Sequence, residues 1–407
     1  MARAPTAADD FRLRSLILSV YLPTILFGIG QGAVIPIIPL FARELGASLA
    51  VASLVVAARG IGQLVFDMPA GVLVARLGDK WAMVLGTGMV AAVAIGAAFS
   101  PSPVVLAVLV FVMGGAWSFW QLARLDYVAE MSPIDKRGRA MSMVGGMNRV
   151  GTFIGPVIGG FVAQRFGLEA AFMAQAAAGL LASGTMFLSV RETRREPQVA
   201  GHAVGGGLVG IVRDNRSIFL TAGVSVIALG LLRQARQVFL PLWGDSIGLD
   251  VAAIGVVFSV GALVDAVVFY PSGVIMDRWG RKWAAVPCLL TLALGFLVLP
   301  LAHDIYSFAV IAVVVGVGNG FGSGIVMTLG ADFAPEPVRS QFLGVWRLLS
   351  DTGQAGGPVL ISALTALGSL GLASVASGGL GLGGAAIMIF LVAEPLKRGS
   401  PAVFDSG

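Results

Sequence analysis

Apolar stretches long enough to span a membrane recur along the whole chain. A helix needs about 20 predominantly apolar residues to cross the hydrocarbon core of a bilayer, and twelve stretches meet this requirement. Their approximate limits are 17–41, 51–74, 82–100, 104–129, 139–163, 169–190, 217–243, 252–275, 283–301, 305–331, 339–366 and 370–393. The pattern predicts an all-α membrane protein with twelve transmembrane helices.

One polar interruption is much longer than the others. It covers residues 191–216, follows the sixth apolar stretch and contains five arginines. We interpret it as a cytoplasmic linker. It would join an N-terminal six-helix bundle, residues 1–190, to a C-terminal six-helix bundle with a short cytoplasmic tail, residues 217–407.

The two predicted bundles repeat one another at a spacing of 202 residues. GVLVARLGDKW, which begins at Gly71, and GVIMDRWGRKW, which begins at Gly273, share six of eleven letters. Further residues coincide at the same offset without a gap: Pro39 with Pro241, Gly46 with Gly248, Pro69 with Pro271, Gly114 with Gly316, Pro133 with Pro335, Arg137 with Arg339 and Pro156 with Pro358. Because each half has six helices, both halves have the same orientation, and we expect two pseudo-symmetric bundles around a central cavity.

Composition and charge exclude several other classes of protein. With 57% hydrophobic and 12% charged residues, the chain has too few charges to cover itself in water, since soluble domains carry about 25%. The basic residues lie in short clusters between apolar runs, which is not the pattern of a nucleic-acid-binding surface. Nineteen of the 27 lysines and arginines fall on the face that holds both termini, and two on the opposite face. This predicts a multi-pass protein of the cell membrane with cytoplasmic termini.

No segment indicates catalysis or a cofactor. Both histidines lie in polar connections, Cys288 is the single cysteine, and neither a phosphate-binding glycine loop with its lysine nor a metal-spaced cluster occurs in the sequence. We therefore expect no enzyme activity, no metal, no cofactor and no nucleic-acid partner. The expected partners are the lipid bilayer, a small-molecule substrate and a proton as coupling ion, and we expect a monomer.

Two motifs resemble those of the major facilitator superfamily, and the resemblance covers nearly the whole chain. The family's loop motif, G-x-L-a-D-r-x-G-r-k, is matched twice: at Gly71, Arg76, Gly78 and Lys80, with Ala75 and Asp79 off the pattern, and at Gly273, Asp277, Arg278, Gly280 and Arg281. A second motif, GTFIGPVIGG in the fifth stretch, is similar to one of the family's antiporters and contains Gly151, Gly155, Pro156, Gly159 and Gly160. A third family motif is incomplete, because Val110 lies where its arginine is expected, four residues before Gly114.

The resemblance implies alternating access and a loop contact that closes the cytoplasmic side. In the family, the aspartate of the loop motif docks against the positive N-terminus of a helix in the opposite half. Ala75 replaces that aspartate in the first copy, so we expect the contact to depend mainly on Asp277 and the start of the fifth helix. An alternative is that Asp79 reaches Arg347 near the inner end of the eleventh helix.

Ionisable residues inside the predicted spans are the candidates for substrate and proton chemistry, because a charge at the bilayer centre is unfavourable by roughly 2.5 to 3.5 kcal/mol on insertion scales. Asp67 and Asp265 are the acids nearest mid-depth, and we select both as proton-coupling candidates. Asp265 is placed to reach Arg233. The candidates for the substrate cavity are Arg59, Gln63, Trp117, Trp120, Arg233 and Arg236.

These features favour a secondary active transporter that exports a small amphipathic compound in exchange for protons, most like the family's 12-helix drug/proton antiporters. The aromatic residues predict an apolar cavity for such a compound. Two alternatives stay open. The deep arginines are also typical of a uniporter or symporter for an organic anion, and a non-transporting sensor on the same scaffold would have the same sequence features.

Overall fold

The computed structural model describes residues 16–190, 192, 208–322 and 324–394. These residues form twelve long helices and no strand. The helices, numbered α1 to α12, are Ile17–Glu44, Leu49–Leu77, Asp79–Ala98, Pro103–Met131, Ile134–Phe166, Leu168–Ser189, Arg216–Ser246, Val251–Trp279, Lys282–Leu301, Ile305–Phe321 continued by Ile325–Phe333, Arg339–Leu367 and Leu370–Phe390. All twelve predicted spans are confirmed as helices. Most of the predicted linker, together with both chain ends, lies outside the described residues.

Ten of the twelve helices are long and apolar enough to cross a membrane by length and composition. The other two, α5 and α11, are equally long but more polar. Helix α5 carries four arginines, including Arg149, and α11 carries two, including Arg347. The two least apolar spans are therefore related by the repeat, and both lie where the two halves meet.

The sequence repeat is a structural repeat. Helices α2 and α8 begin and end 202 residues apart, and so do α4 and α10. The turns before α2 and α8 use Gly46 and Gly248, whose φ angles of 91° and 78° lie in the region that favours glycine. Ser48 and Asp250 then cap the two helices by accepting hydrogen bonds from backbone N–H groups three residues later.

The ends of the long helices lie on two opposite faces of the molecule, which we name the terminal face and the distal face. The terminal face is where α2 ends at Leu77 and α3 begins at Asp79, and the distal face is where α1 ends at Glu44 and α2 begins at Leu49. The halves meet along two interfaces, α5 with α8 and α2 with α11. These interfaces are related by the repeat.

The halves touch towards the distal face and separate towards the terminal face. Near the distal face, a Cβ added at Gly255 of α8 would lie 2.3 Å from the carbonyl oxygen of Pro156 in α5, and Gln164 accepts a 3.2 Å hydrogen bond from the N–H of Ala252. Towards the terminal face, a Cβ added at Gly145 of α5 or Gly273 of α8 would meet no atom within 4 Å. The central cavity therefore opens to the terminal face.

Candidate functional site

Asp265 of α8 is the centre of a polar network that joins the two halves. Its side chain is buried in the middle of an apolar helix. One carboxylate oxygen accepts a 2.9 Å hydrogen bond from Nη1 of Arg149, which belongs to α5 of the other half. The second oxygen accepts a 2.6 Å hydrogen bond from Nδ2 of Asn319 in α10. A buried carboxylate needs such partners, because its charged form is otherwise strongly unfavourable.

Two arginines of α7 complete the network. Arg236 places Nη1 4.0 Å from Asp265. Arg233 donates from Nε to Oδ1 of Asn319 at 2.9 Å and from Nη1 to the carbonyl of Gly322 at 3.3 Å. That carbonyl is available because α10 is interrupted just after it. The expected pairing of Asp265 with Arg233 is corrected, since the amide of Asn319 bridges them and Asp265 pairs with Arg149 and Arg236 instead.

The guanidinium groups in this network outnumber its carboxylate. Arg236 experiences the attraction of Asp265 and the repulsion of both Arg233 and Arg149. Two of the guanidinium groups form cation–π contacts. Arg149 lies 4.2 Å from the ring centroid of Phe269, and Arg236 lies 5.6 Å from that of Phe258. Such contacts contribute about 0.5 to 2 kcal/mol each, depending on how far the cation is desolvated.

A cavity of about 190 Å³ lies beside Arg233 and Arg236. Its lining consists of Leu229, Gly230, Arg233, Gln234, Arg236, Gln237, Asn319, Val326, Ser350 and Gln354. Seven of these ten residues have polar or charged side chains, so the expectation of an aromatic, apolar cavity is not met here. All ten belong to the C-terminal half.

A second ionic cluster links α2 to α11. Arg347 places Nη2 3.3 Å from Asp67 of the other half and Nε 3.5 Å from Asp351 of its own helix. Asp351 also accepts a 3.1 Å hydrogen bond from Gln354. The side chain of Arg347 is 60% exposed, so this cluster is far more hydrated than the one at Asp265.

Beside this cluster lies a second, larger space of about 380 Å³, which we call the vestibule. It is lined by Leu64, Asp67, Met68, Leu122, Gln341, Gly344, Val345, Arg347, Leu348 and Asp351. Apolar side chains form most of its wall. The vestibule therefore has the apolar surface that the smaller cavity lacks.

Gln63 and Arg59 of α2 are placed differently from one another. Gln63 and Gly60 line a small gap with Gln234, Asp351 and Gln354, between the cavity and the vestibule. Arg59 is half-buried one turn nearer the distal face. It forms no hydrogen bond or ion pair with any part of the chain that the structure describes.

The two tryptophans predicted to line the cavity differ in their burial. Trp117 is half-buried. Trp120 is fully buried inside the N-terminal half, where its ring lies 4.2 Å from Phe27 and 4.1 Å from the guanidinium of Arg124. The expected position of Trp120 at the substrate cavity is corrected, because Phe27 of α1 and Gly86 of α3 pack against this residue inside the N-terminal half.

Comparison with known proteins identifies the family. The sequence matches the model of the Major Facilitator Superfamily over residues 20–233 and 224–405. The chain belongs to the Major Facilitator Superfamily. It is thus a multi-pass membrane transporter, with the two-bundle architecture described above.

Curated relatives of this superfamily member include multidrug resistance proteins. It is 27% identical over 280 residues to Multidrug resistance protein 2 of Bacillus subtilis (strain 168), covering 65% of this chain and 67% of the relative. It is 25% identical over 312 residues to Multidrug resistance protein 1 of the same organism, covering 75% and 78%.

Solved structures show the same fold with other cargo. The nucleoside transporter NupG matches with a TM-score of 0.71 at 14% identity, over 94% of this chain and 99% of that chain. A D-xylose–proton symporter matches with a TM-score of 0.69 at 16% identity, over 94% and 98%. At such identities the likeness concerns the fold alone.

The superfamily's loop motif adopts a tight turn in both halves. Gly78 and Gly280 have φ angles of 78° and 117°, which explains the glycine in each copy. Gly71 packs against Leu122, and Lys80 lies 5.3 Å from the ring centroid of Phe187. Arg76 and Arg278 are exposed.

Asp277 and Asp79 do not form cross-half contacts with the partners considered from the sequence. Asp277 is 78% exposed and pairs with Arg281, 3.1 Å away in the same loop. Asp79 is buried at the start of α3, whereas Arg347 pairs with Asp67 and Asp351. We therefore expect the loop contact of Asp277 in a state in which the terminal face is closed.

The loop between α8 and α9, which carries the second copy of the motif, is contacted by three carboxylates of the C-terminal half. Arg281 lies 2.7 Å from Asp332 and 3.1 Å from Asp277. Burial lowers the pKa of the Arg281 guanidinium, but the hydrogen bonds and charges of these two aspartates raise it above its usual value. The backbone N–H groups of Arg281 and Lys282 donate to Glu394, beyond the end of α12, at 2.8 and 3.0 Å.

The antiporter-like motif of α5 serves two contacts. Gly151, Gly155 and Gly159 pack against α1, where an added Cβ would lie 2.1 to 2.7 Å from backbone atoms. Gly160 faces the other way, where its Cβ would meet α8 at 2.9 Å. Pro156 also meets α8 through its carbonyl group. The motif therefore joins α5 both to its own bundle and to the distal contact between halves.

Sequence reasoning missed the amides around the arginines. Asn319, Gln234, Gln237 and Gln354 were not selected, although each lies within a predicted span and lines the cavity. The repeat could have pointed to Asn319. The position 202 residues earlier is Trp117, a candidate for the substrate cavity, and the equivalent position in the second half is Asn319. Arg149 was recognisable as an intramembrane charge, but its partner was not.

Proposed function

We propose that this transporter exports a small amphipathic compound across the cell membrane in exchange for protons, and that Asp265 carries the proton. The multidrug resistance relatives support export of such compounds. The observation that carries the proposal is that Asp265, a buried carboxylate, is bonded to Arg149 of the opposite half. Its protonation state is thereby linked to a contact that must break when the halves move.

The distribution of basic residues supports cytoplasmic termini. Nineteen lysines and arginines lie at the terminal face or in the terminal segments and linker, and two at the distal face, and such an excess marks the cytoplasmic side. With this orientation the described conformation is inward-facing. The two bundles, residues 1–190 and 217–407, would rock about the central site and alternate its access.

The ion pair suggests how exchange is enforced. When Asp265 is ionised and no substrate is bound, Arg149 holds α5 to α8 and the empty inward-facing protein is locked. Proton binding neutralises Asp265 and removes one partner of a charge-assisted hydrogen bond, which contributes about 1.5 to 3 kcal/mol. A substrate that engages the arginines would release the same lock. Either ligand, but not the empty protein, would then permit the transition.

Asp67 is the second carboxylate proposed for proton coupling. It contacts Arg347 of the opposite half at the wall of the vestibule. Its pair is more exposed than that of Asp265, so its protonation is expected to change the equilibrium between states less. We therefore assign it a secondary role.

Proteoliposomes with an imposed pH gradient test the proposal. The unmodified protein, Asp265→Asn and Asp67→Asn would be compared for uptake of a panel of amphipathic fluorescent compounds, with substrate binding measured separately. We expect Asp265→Asn to bind substrate but to lose acceleration by the pH gradient, and Asp67→Asn to retain most of it. Unchanged pH-driven transport by Asp265→Asn would reject Asp265 as the proton carrier.

A further inference from the structure

Two arginines line the cavity beside α7, and the described residues place one carboxylate beside them. Arg233 and Arg236 belong to the lining, Asp265 lies next to Arg236, and Arg149 of the other half contacts the same carboxylate. Both oxygens of that carboxylate are already engaged, one by Arg149 and the other by Asn319. Intramembrane charges normally pair with opposite charges or face a polar ligand.

Arg236 has the least complete set of partners in this cluster. Its contact with Asp265 is 4.0 Å long, and its buried Nε has no hydrogen-bond partner in the described part of the chain. The planar guanidinium of an arginine can bind a carboxylate-like group through two parallel hydrogen bonds.

Neighbouring acids do not supply the missing charge. Asp351, which lines the gap next to the cavity, is engaged by Arg347 and Gln354. Asp67 is engaged by Arg347 as well. Gln234 and Gln354 separate this cluster from the arginines of α7, since both line the gap between the two spaces.

We propose that the cavity binds the anionic group of the transported compound, and hence that the cargo is an amphipathic organic acid with a carboxylate, sulfonate or phosphonate head. The inference rests on the proposed function, because it names the chemical class of that cargo. The head group contacts Arg233 and Arg236. Gln234, Gln237 and Ser350 provide further donors around it.

The arrangement of the three spaces fits the amphipathic shape of such a molecule. The cavity and the small gap share Gln234 and Gln354, and the gap and the vestibule share Leu64 and Asp351. The three spaces therefore form one row. An acidic head lies at the arginines, and an apolar body extends towards the vestibule, whose wall includes Met68, Leu122, Val345 and Leu348.

An anionic cargo also explains how substrate binding would release the lock between halves. The head group competes with Asp265 for Arg236 and lowers the net positive charge that holds the carboxylate in place. An inside-negative membrane potential favours outward movement of an anion, so the charge of the cargo and the direction of export agree.

Matched ligands test the charge of the site without any mutation. Purified, unmodified protein would be titrated with 4-phenylbutyrate, 4-phenylbutyramide and trimethyl(3-phenylpropyl)ammonium, with binding followed calorimetrically and by the shift in melting temperature. We expect the carboxylate to bind at least about tenfold more tightly than the amide, the loss typical of a missing charge-assisted hydrogen bond. Equal or tighter binding of the ammonium compound would overturn the inference.

Arginine variants locate the site. Arg233→Gln and Arg236→Gln are each expected to weaken binding of 4-phenylbutyrate about tenfold or more while leaving the weak binding of the amide unchanged. Arg233→Lys should recover part of the loss, and Arg213→Gln, which removes an arginine whose side chain is 80% exposed, is the matched control. If both glutamine variants bind 4-phenylbutyrate as tightly as the unmodified protein does, the anion does not bind at Arg233 and Arg236.

The inference and the proposed function fail on different measurements. If 4-phenylbutyrate binds selectively but a pH gradient does not affect transport, the anion site is supported and proton exchange is rejected. If protons drive transport of the ammonium compound and 4-phenylbutyrate does not bind, proton exchange is supported and the anion site is rejected.

Discussion

The two halves share one scaffold but differ in the chemistry placed on it. In the C-terminal half, Arg233, Asp265 and Asn319 form a hydrogen-bonded, charged chain. The positions 202 residues earlier are Gln31, Gln63 and Trp117, all neutral. Turns, caps and helix lengths are repeated between the halves, whereas the ionisable groups of the central network are not. The groups that we propose for substrate binding therefore lie mainly in one half, and the other half contributes Arg149.

The two interfaces between the halves show the same asymmetry. At α5 with α8, Arg149 and Asp265 form a short pair whose side chains are 21% and 12% exposed. The repeat places Asp351 and Gln63 at the corresponding positions of α11 and α2, and there the carboxylate finds its arginine, Arg347, on its own helix. The first interface depends on a single buried cross-half pair, and the second on a hydrated cluster nearer the open face.

The largest effect is expected from removing one partner of the buried pair. Arg149→Ala leaves Asp265 buried without its cross-half partner, which typically costs 3 to 5 kcal/mol. The double variant Arg149→Met with Asp265→Leu should recover most of the loss, because an apolar pair of similar size replaces the ion pair. Unfolding in detergent, followed by tryptophan fluorescence, measures both. A double variant no more stable than Arg149→Ala would contradict the assignment.

Moving the buried pair to the second interface tests whether these two side chains account for the difference between the interfaces. Gln63→Asp combined with Asp351→Arg reproduces at α2 and α11 the residues found at α8 and α5. We expect the inward-facing state to be stabilised by about 1.5 to 3 kcal/mol and transport to slow in proportion. Distances between spin labels at the distal ends of α2 and α11 measure the populations. Gln63→Asp alone, which adds an acid beside Asp351, is the control and should not stabilise this state.

Asp277, the exposed aspartate at the loop between α8 and α9, should stabilise the state in which the terminal face is closed. Asp277 contacts only its own half when the terminal face is open, so Asp277→Ala should leave the inward-facing distances unchanged and increase that population about ten- to a hundredfold, the equivalent of 1.5 to 3 kcal/mol. Ala75→Asp should shift the population the other way. Spin labels at the terminal ends of α5 and α8 report this shift. Distance distributions identical to those of the parent protein for both variants would remove the loop contact from the mechanism.

The smallest effect is expected at the hydrated cluster. Asp67 with Arg347 is a partly exposed pair, and such pairs contribute about 0 to 1 kcal/mol. Arg347→Gln should therefore reduce the free energy of unfolding by less than about 1 kcal/mol, and high salt should weaken this contribution further. A loss as large as that of Arg149→Ala would show that the two interfaces are energetically equal.

The sequence was sufficient for the architecture and for the position of the charges. Twelve spans, the repeat of 202 residues and the loop glycines depend on periodicity, spacing and backbone sterics, which are local. The partner of Asp265 depends instead on how α5 and α8 rotate against each other across the halves, and no helical period contains that information. For the same reason, Trp120 was placed at the cavity although α1 covers it, and the amides of the cavity were overlooked.

The contact of Glu394 with the start of α9 has a practical consequence for work with this protein. Its carboxylate accepts the backbone N–H groups of Arg281 and Lys282, and a Cβ at Gly280 would lie 2.7 to 3.0 Å from it. The segment after α12 therefore supports the loop that we propose to act in alternating access. A purification tag or a protease site placed directly after Val392 would remove that brace, whereas one placed a few residues later would spare it.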